Sequence, residues 1–259
     1  MASTSTPDET AIREAVRARY ADAALRIVSE PEASCCGEGA TCGDAYSPDE
    51  LALVGVSARA SLGCGNPTAL AELRAGDVVL DLGSGAGLDV LLSARRVSPG
   101  GHAYGVDMTD EMLAAARANQ ARAGIDNATF LKGTIEDIPL PDASVDVVIS
   151  NCVINLAADK GAVLREAFRV LRPGGRLAVA DMIAHGELTA ESRRALDLWA
   201  GCVSGTITRD EYASALEGAG FDAIDIEVTR EVKLDGVEGR IASAYIRARR
   251  PSRVETAAR

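Results

Sequence analysis

From residue 77 onward the apolar positions alternate between two periods. Short apolar runs predict strands at 78–82, 102–107, 128–131, 145–150, 176–183, 223–230 and 241–248. Between them, apolar residues three or four apart predict helices at 86–97, 110–123, 159–171, 189–202 and 208–219. Pro99-Gly100-Gly101 and Pro173-Gly174-Gly175 read as turns from helix to strand. Strand and helix in alternation predict a mainly parallel sheet with helices on both faces. The run Val145 to Ile149, broken only by Asp146, suits a central buried strand. The last two strands have a short connection and can pair antiparallel at the sheet edge. Upstream, Ile12, Val16, Tyr20, Ala24 and Ile27 put one apolar stripe on a helix over residues 9–29. Residues 31–47 are rich in Gly and Cys and have no period. Ser47-Pro48 reads as the cap and first turn of a short helix reaching about Leu62, followed by an irregular loop, Gly63 to Pro67.

The first strand of the alternating part ends in Asp81-Leu82-Gly83-Ser84-Gly85-Ala86-Gly87. Glycines at a strand-to-helix turn let the backbone turn tightly and approach a ligand, with free N–H groups of the next helix facing it. Asp107 ends the second strand, where doubly wound folds place an acid for ribose hydroxyls. Met108 beside it suits either the face of a base or the core. The dinucleotide fingerprint does not fit, because Leu88 stands where its third glycine belongs. The loop with its Asp81 resembles the S-adenosylmethionine (SAM) site of class I methyltransferases. That resemblance implies a Rossmann-like fold. It assigns Asp81, Gly83, Ser84, Gly85, Asp107, Met108 and Asn151 to the cofactor, with Ile135 and Glu136 at the adenine. In Asn151-Cys152, after the fourth strand, Asn151 stands where many methyltransferases keep a polar residue, and the usual aromatic neighbour is replaced by a thiol.

Composition narrows the partners. A net charge of −11 argues against nucleic acid and anionic membrane surfaces. No apolar stretch reaches membrane-spanning length, and the first residues lack a signal-peptide layout. A cytoplasmic protein is expected, with nothing to suggest an obligate oligomer, so a monomer. Its six cysteines are then free thiols by default and form no C-x-x-C pair. Cys64 lies in a glycine-flanked loop before the first strand, Cys152 at the functional edge of the fourth, and Cys202 at the end of a helix beyond the fifth. Three such thiols can converge, whereas any one alone reads as a small buried hydrophobe.

Gly63-Cys64-Gly65, Ser150-Asn151-Cys152-Val153-Ile154-Asn155-Leu156 and Leu198-Trp199 with Cys202 resemble the arsenite methyltransferases, over about residues 34 to 230. The resemblance implies that Cys64, Cys152 and Cys202 bind trivalent arsenic. It also implies an N-terminal cysteine, here Cys35, Cys36 or Cys42 with the Cys35-Cys36 pair preferred, that forms a disulfide with Cys64 during turnover. A thiol reductant, thioredoxin or glutathione, would restore the thiols. Thiolates are soft ligands suited to a thiophilic centre, and the arsenic lone pair needs no general base, in keeping with only two histidines, His102 and His185. The expected organisation is a helical, Cys-rich cap (1–70), a SAM-binding core (71–185), a part completing the sheet and the arsenic site (186–250) and a tail (251–259). Two rivals share features: a class I enzyme methylating another small molecule, as in quinone biosynthesis, and a non-enzymatic arsenic or metal sensor.

Overall fold

The computed structural model describes residues 8–29, 45–56, 63, 65–185, 205–232 and 240–252, without the side chains of 26–29. Cys35, Cys36, Cys42, Cys64 and Cys202, the side chain of Ile27 and the helix expected at 189–202 lie outside them.

Seven strands form one sheet: β1 (Val78–Leu82), β2 (His102–Asp107), β3 (Ala128–Lys132), β4 (Val145–Asn151), β5 (Leu171–Ala184), β6 (Asp222–Val232) and β7 (Ile241–Arg249). Their order is β3-β2-β1-β4-β5-β7-β6. The first five run parallel. The last two pair antiparallel at one edge of the sheet, as expected, with β7 between β5 and the outermost β6. Alternate residues of the parallel strands serve opposite faces. Leu80, Leu82, Val148, Leu177 and Val179 pack with α6 (Lys160–Val170) and α7 (Arg209–Ala219). Val79, Val147, Ile149 and Ala178 pack on the other face with Ala71 and Val97, beside α3 (Pro67–Leu70) and α4 (Leu88–Arg96). Asp146 interrupts β4 for a structural reason: its carboxylate accepts from the Val78 amide at 2.9 Å and pairs with Arg172 at 2.7 Å.

The helix α1 (Glu9–Ser29) forms as its stripe predicts, with Ile12, Val16 and Ala24 buried. Helix α2 (Pro48–Val54) begins at the expected Ser47 cap, closed by a reciprocal Glu50 capping box. It stops at Gly55, whose left-handed backbone (φ +61°) returns its N–H to Leu51, well short of Leu62. Helix α3 arises where a loop was expected, because Asn66 caps it through the Ala69 amide and Pro67 starts it. Helix α4 starts at Leu88 and α5 spans Asp110–Ala123. Pro173-Gly174-Gly175 is no turn outside the sheet. It lies within β5, which begins at Leu171 and bulges against β4.

Candidate functional site

The loop after β1 is shaped by contacts from two neighbouring strands. Gly83 has φ +67°, and a Cβ there would lie 2.5 Å from a Val153 methyl, so the chain beyond β4 packs on bare backbone. The Ser84 amide donates to Val106 O in β2 at 3.0 Å. Asp107 then joins this loop to the one after β2, accepting from the Gly85 amide on one oxygen and the Thr109 amide on the other, each at 2.9 Å.

Three carboxylates meet at this point, Asp81 and Asp89 buried and Asp107 half-buried. Asp81 is 3% exposed, and its Oδ1 has no hydrogen-bond partner. Burial pushes its carboxyl well above the ordinary range, and Asp89 and Asp107 add to the effect. Asp107 is also raised by burial, against the pull of the amides it accepts from. Asp89, in the first turn of α4, is raised by burial to about 6 in spite of hydrogen bonds from Tyr46 and Asn151. The Ser84 hydroxyl is likewise buried without a partner.

These groups border a cavity of about 1050 Å³, its open mouth included, at the carboxyl ends of β1, β2 and β4. That is where the strand order reverses and ligands bind in doubly wound folds. Asp81, Gly83, Ser84, Gly85, Asp107, Met108, Ile135, Glu136 and Asn151 all line it. So do residues that the sequence did not tie to the site: Glu9, Ile12, Arg13, Val16 and Tyr20 from α1, and Asp89 from α4. The α1 stripe had been visible, but nothing in its spacing said what it would cover. Asp89 reads in sequence as an ordinary acid at a helix start.

Asn151 lines the cavity, yet its carboxamide is engaged with protein. It accepts from the Gly65 amide at 3.2 Å and donates toward Gly65 O at 2.8 Å and the Tyr46 hydroxyl at 2.9 Å. Cys152 follows it, 5% exposed, in the left-handed region (φ +60°), with its N–H held by Ala180 O at 2.7 Å. A side-chain-bearing residue in that conformation costs about 1–3 kcal/mol and clusters at functional sites. Cys152 packs with Ile12, Val16, Leu156 and Met182, beside the Val153 that lines the cavity. Its sulfur is engaged in a disulfide, with the partner outside the described residues. His102, at the start of β2, has a structural partner: its Nε2 meets the Thr129 hydroxyl at 2.9 Å.

The donor set fits SAM. Unpartnered buried Asp81 Oδ1 suits an ammonium group, Asp107 suits hydroxyl donors, and half-buried Met108 and Ile135 offer apolar surface to a base. A sheet of this order, with this glycine loop and its acids at the switch point, defines a SAM-dependent methyltransferase of class I. Residues 73–220 match a family model described as a methyltransferase domain. Over 95% of its length the chain is 40% identical to the arsenite methyltransferase of Halobacterium salinarum, and it spans 68% of that protein. It is 43% identical to the arsenite methyltransferase of Aquipseudomonas alcaligenes over 64% of this chain, which amounts to 49% of that relative's length. Among solved structures, the arsenic(III) SAM methyltransferase of Chlamydomonas reinhardtii superposes with a TM-score of 0.70 at 32% identity, covering 78% of this chain and 74% of that one. The chain belongs to the arsenite methyltransferase family, and it is an enzyme.

Proposed function

We propose that this chain methylates trivalent arsenic held by the thiolates of Cys64, Cys152 and Cys202, as a detoxification reaction. The observation that carries the reading is Cys152 itself. A buried cysteine held in a strained backbone, one residue from the cavity wall, fits a functional site, where such strain clusters, and the relatives named above are arsenite methyltransferases. SAM, when bound, supplies an electrophilic methyl group. Asp81, Asp107, Ile135 and Glu136 would hold that cofactor, and α1 covers it from water. The cysteines replace the oxygens of arsenous acid and keep the arsenic lone pair as the nucleophile, so no side chain has to remove a proton from it. Alignment of the two reactants is the protein's main contribution, worth up to roughly 7–11 kcal/mol.

The thiols must be reduced and deprotonated to bind arsenic. The disulfide at Cys152 supports a need for an external thiol reductant, thioredoxin or glutathione, and Cys35 or Cys36 would serve as the redox partner of Cys64 during turnover. The same reading has the chain working as a monomer in the cytoplasm, where such reductants are held. No helix among the described residues is long and apolar enough to cross a membrane.

Arsenic speciation tests the reading. Protein incubated with arsenite, SAM and a thiol reductant should yield methylated arsenic, and Cys152→Ser should yield none. Absence of product from the wild type, with SAM still bound, would overturn it in favour of another small-molecule substrate.

A further inference from the structure

Four segments far apart in sequence meet in one hydrogen-bonded chain. Tyr46 precedes α2, Gly65 precedes α3, Asp89 lies in the first turn of α4, and Asn151 ends β4. The Tyr46 hydroxyl donates to the Asp89 carboxylate, 2.7 Å from Oδ1 and 2.9 Å from Oδ2. Its oxygen accepts from Asn151 Nδ2 at 2.9 Å, and that same amide nitrogen lies 3.2 Å from Asp89 Oδ2. The Asn151 carboxamide then takes hold of Gly65 through both its N–H and its C=O. Tyr46 and Asp89 are 6% and 7% exposed, so the chain runs where water competes little for its hydrogen bonds.

The two glycines that flank residue 64 are tightly packed, Gly63 against Asn151 of this network and Gly65 against β5. A Cβ on Gly63 would fall 2.1 Å from Asn151 Oδ1, and one on Gly65 would fall 2.6 Å from the Ala180 Cβ in β5. Asp89, Asn151 and Gly63 also line the cofactor cavity. One network therefore borders the cofactor site and grips the backbone that flanks residue 64.

We propose that Tyr46 and Asp89 are positioning residues for methyl transfer, fixing the backbone of Gly63 and of Gly65 relative to the cofactor cavity through Asn151. This rests on the arsenite reading above. Neither side chain has to touch arsenic. Their role is to stop the Asn151 carboxamide from turning, since its amide nitrogen has a fixed anion and a fixed hydroxyl to face. The carboxamide oxygen, Asn151 Oδ1, then stays aimed at the Gly65 amide. A loop misplaced by about 1 Å can cost on the order of a hundredfold in rate, with little change in ligand binding.

The test uses the full chain with Tyr46→Phe, Asp89→Asn and the double variant. Steady-state arsenite methylation gives kcat and both KM values, calorimetry gives the SAM Kd, and thermal melts monitor folding. Tyr46→Phe keeps the buried ring and removes only the hydroxyl. It is expected to lower kcat by roughly ten- to a hundredfold while the SAM Kd stays within about twofold. Residues acting as one unit lose function once, so the double variant should be no slower than the slower single variant. Asp89→Asn provides the same comparison if Tyr46→Phe melts early. Wild-type kcat in Tyr46→Phe, or losses that multiply in the double variant, would overturn the proposal. A wild-type protein that binds SAM but makes no methylated arsenic would instead overturn the function on which it rests.

Discussion

Asp181 shows how a single residue can be read wrongly until its neighbours are known. In sequence it is one acid in an apolar strand. In the structure it is fully buried, accepting from Asn155 Nδ2 at 2.8 Å and from its neighbour's Met182 amide at 2.9 Å, with its other oxygen unpartnered. Burial raises its carboxyl from 3.8 to about 7, against the pull of Met182, Lys160 and Asn155. The native state therefore holds a proton that the unfolded chain has already released. Native proton uptake exceeds that of the unfolded chain between these two values, so stability from this group falls as pH rises through that window. The loss is complete above about 7. Asp181→Asn should lack this loss. Denaturant unfolding of both proteins across pH 4 to pH 8, about the range bounded by the two titrations, should show wild-type stability declining relative to the variant. A constant difference would mean that Asp181 does not carry the proton. Asp81 and Asp89 share the direction, but their effect cancels in that comparison.

At the scale of elements, α1 has the most consequence for the site. Its stripe was legible because a helical period needs only one sequence, whereas its role depends on what lies beneath. Ile12 and Val16 pack on Cys152, Leu156 and Met182, while Ala24, two turns on, packs near Tyr46 and Val54 beside α4. The first half of the helix therefore roofs the cavity, from Glu9 to Tyr20. Ile12→Ala with Val16→Ala should weaken SAM binding by about tenfold, near 1.4 kcal/mol, as measured by calorimetry. An unchanged Kd would mean that α1 shields the core and not the cofactor. The early end of α2 and the appearance of α3 have local causes: Gly55 closes one with a left-handed turn, and Asn66-Pro67 opens the other. Both signals are present in the sequence, a glycine inside the expected helix and Asn66-Pro67 inside the expected loop.

At the scale of the molecule, the sheet extends beyond the residues 73–220 matched by the family model. Nine residues of β7 pair with β5 from Arg176 to Ala184, and Ile246 and Ala248 join the core under α6 and α7. A chain truncated after residue 221 would leave the apolar β5 as an open edge. It is expected to be insoluble, or to lack the cooperative melt of the full chain by circular dichroism; a soluble truncation with the full melting transition would contradict that. By itself the sequence determined the strands, the helical periods, the glycine loop and the acids Asp81 and Asp107. Each of these is a local pattern set by side-chain period or by backbone freedom at Gly83. It also carried the cysteine motifs that resemble the family. Only the tertiary structure decided that β7 lies inside the sheet, that α1 covers the cavity, and that Asn151 grips Gly65 while Tyr46 and Asp89 hold Asn151. The physical reason is the same in each case. Burial, pairing across strands and the pKa of a carboxylate depend on which distant segments fill the space around a residue, and spacing along the chain does not record that.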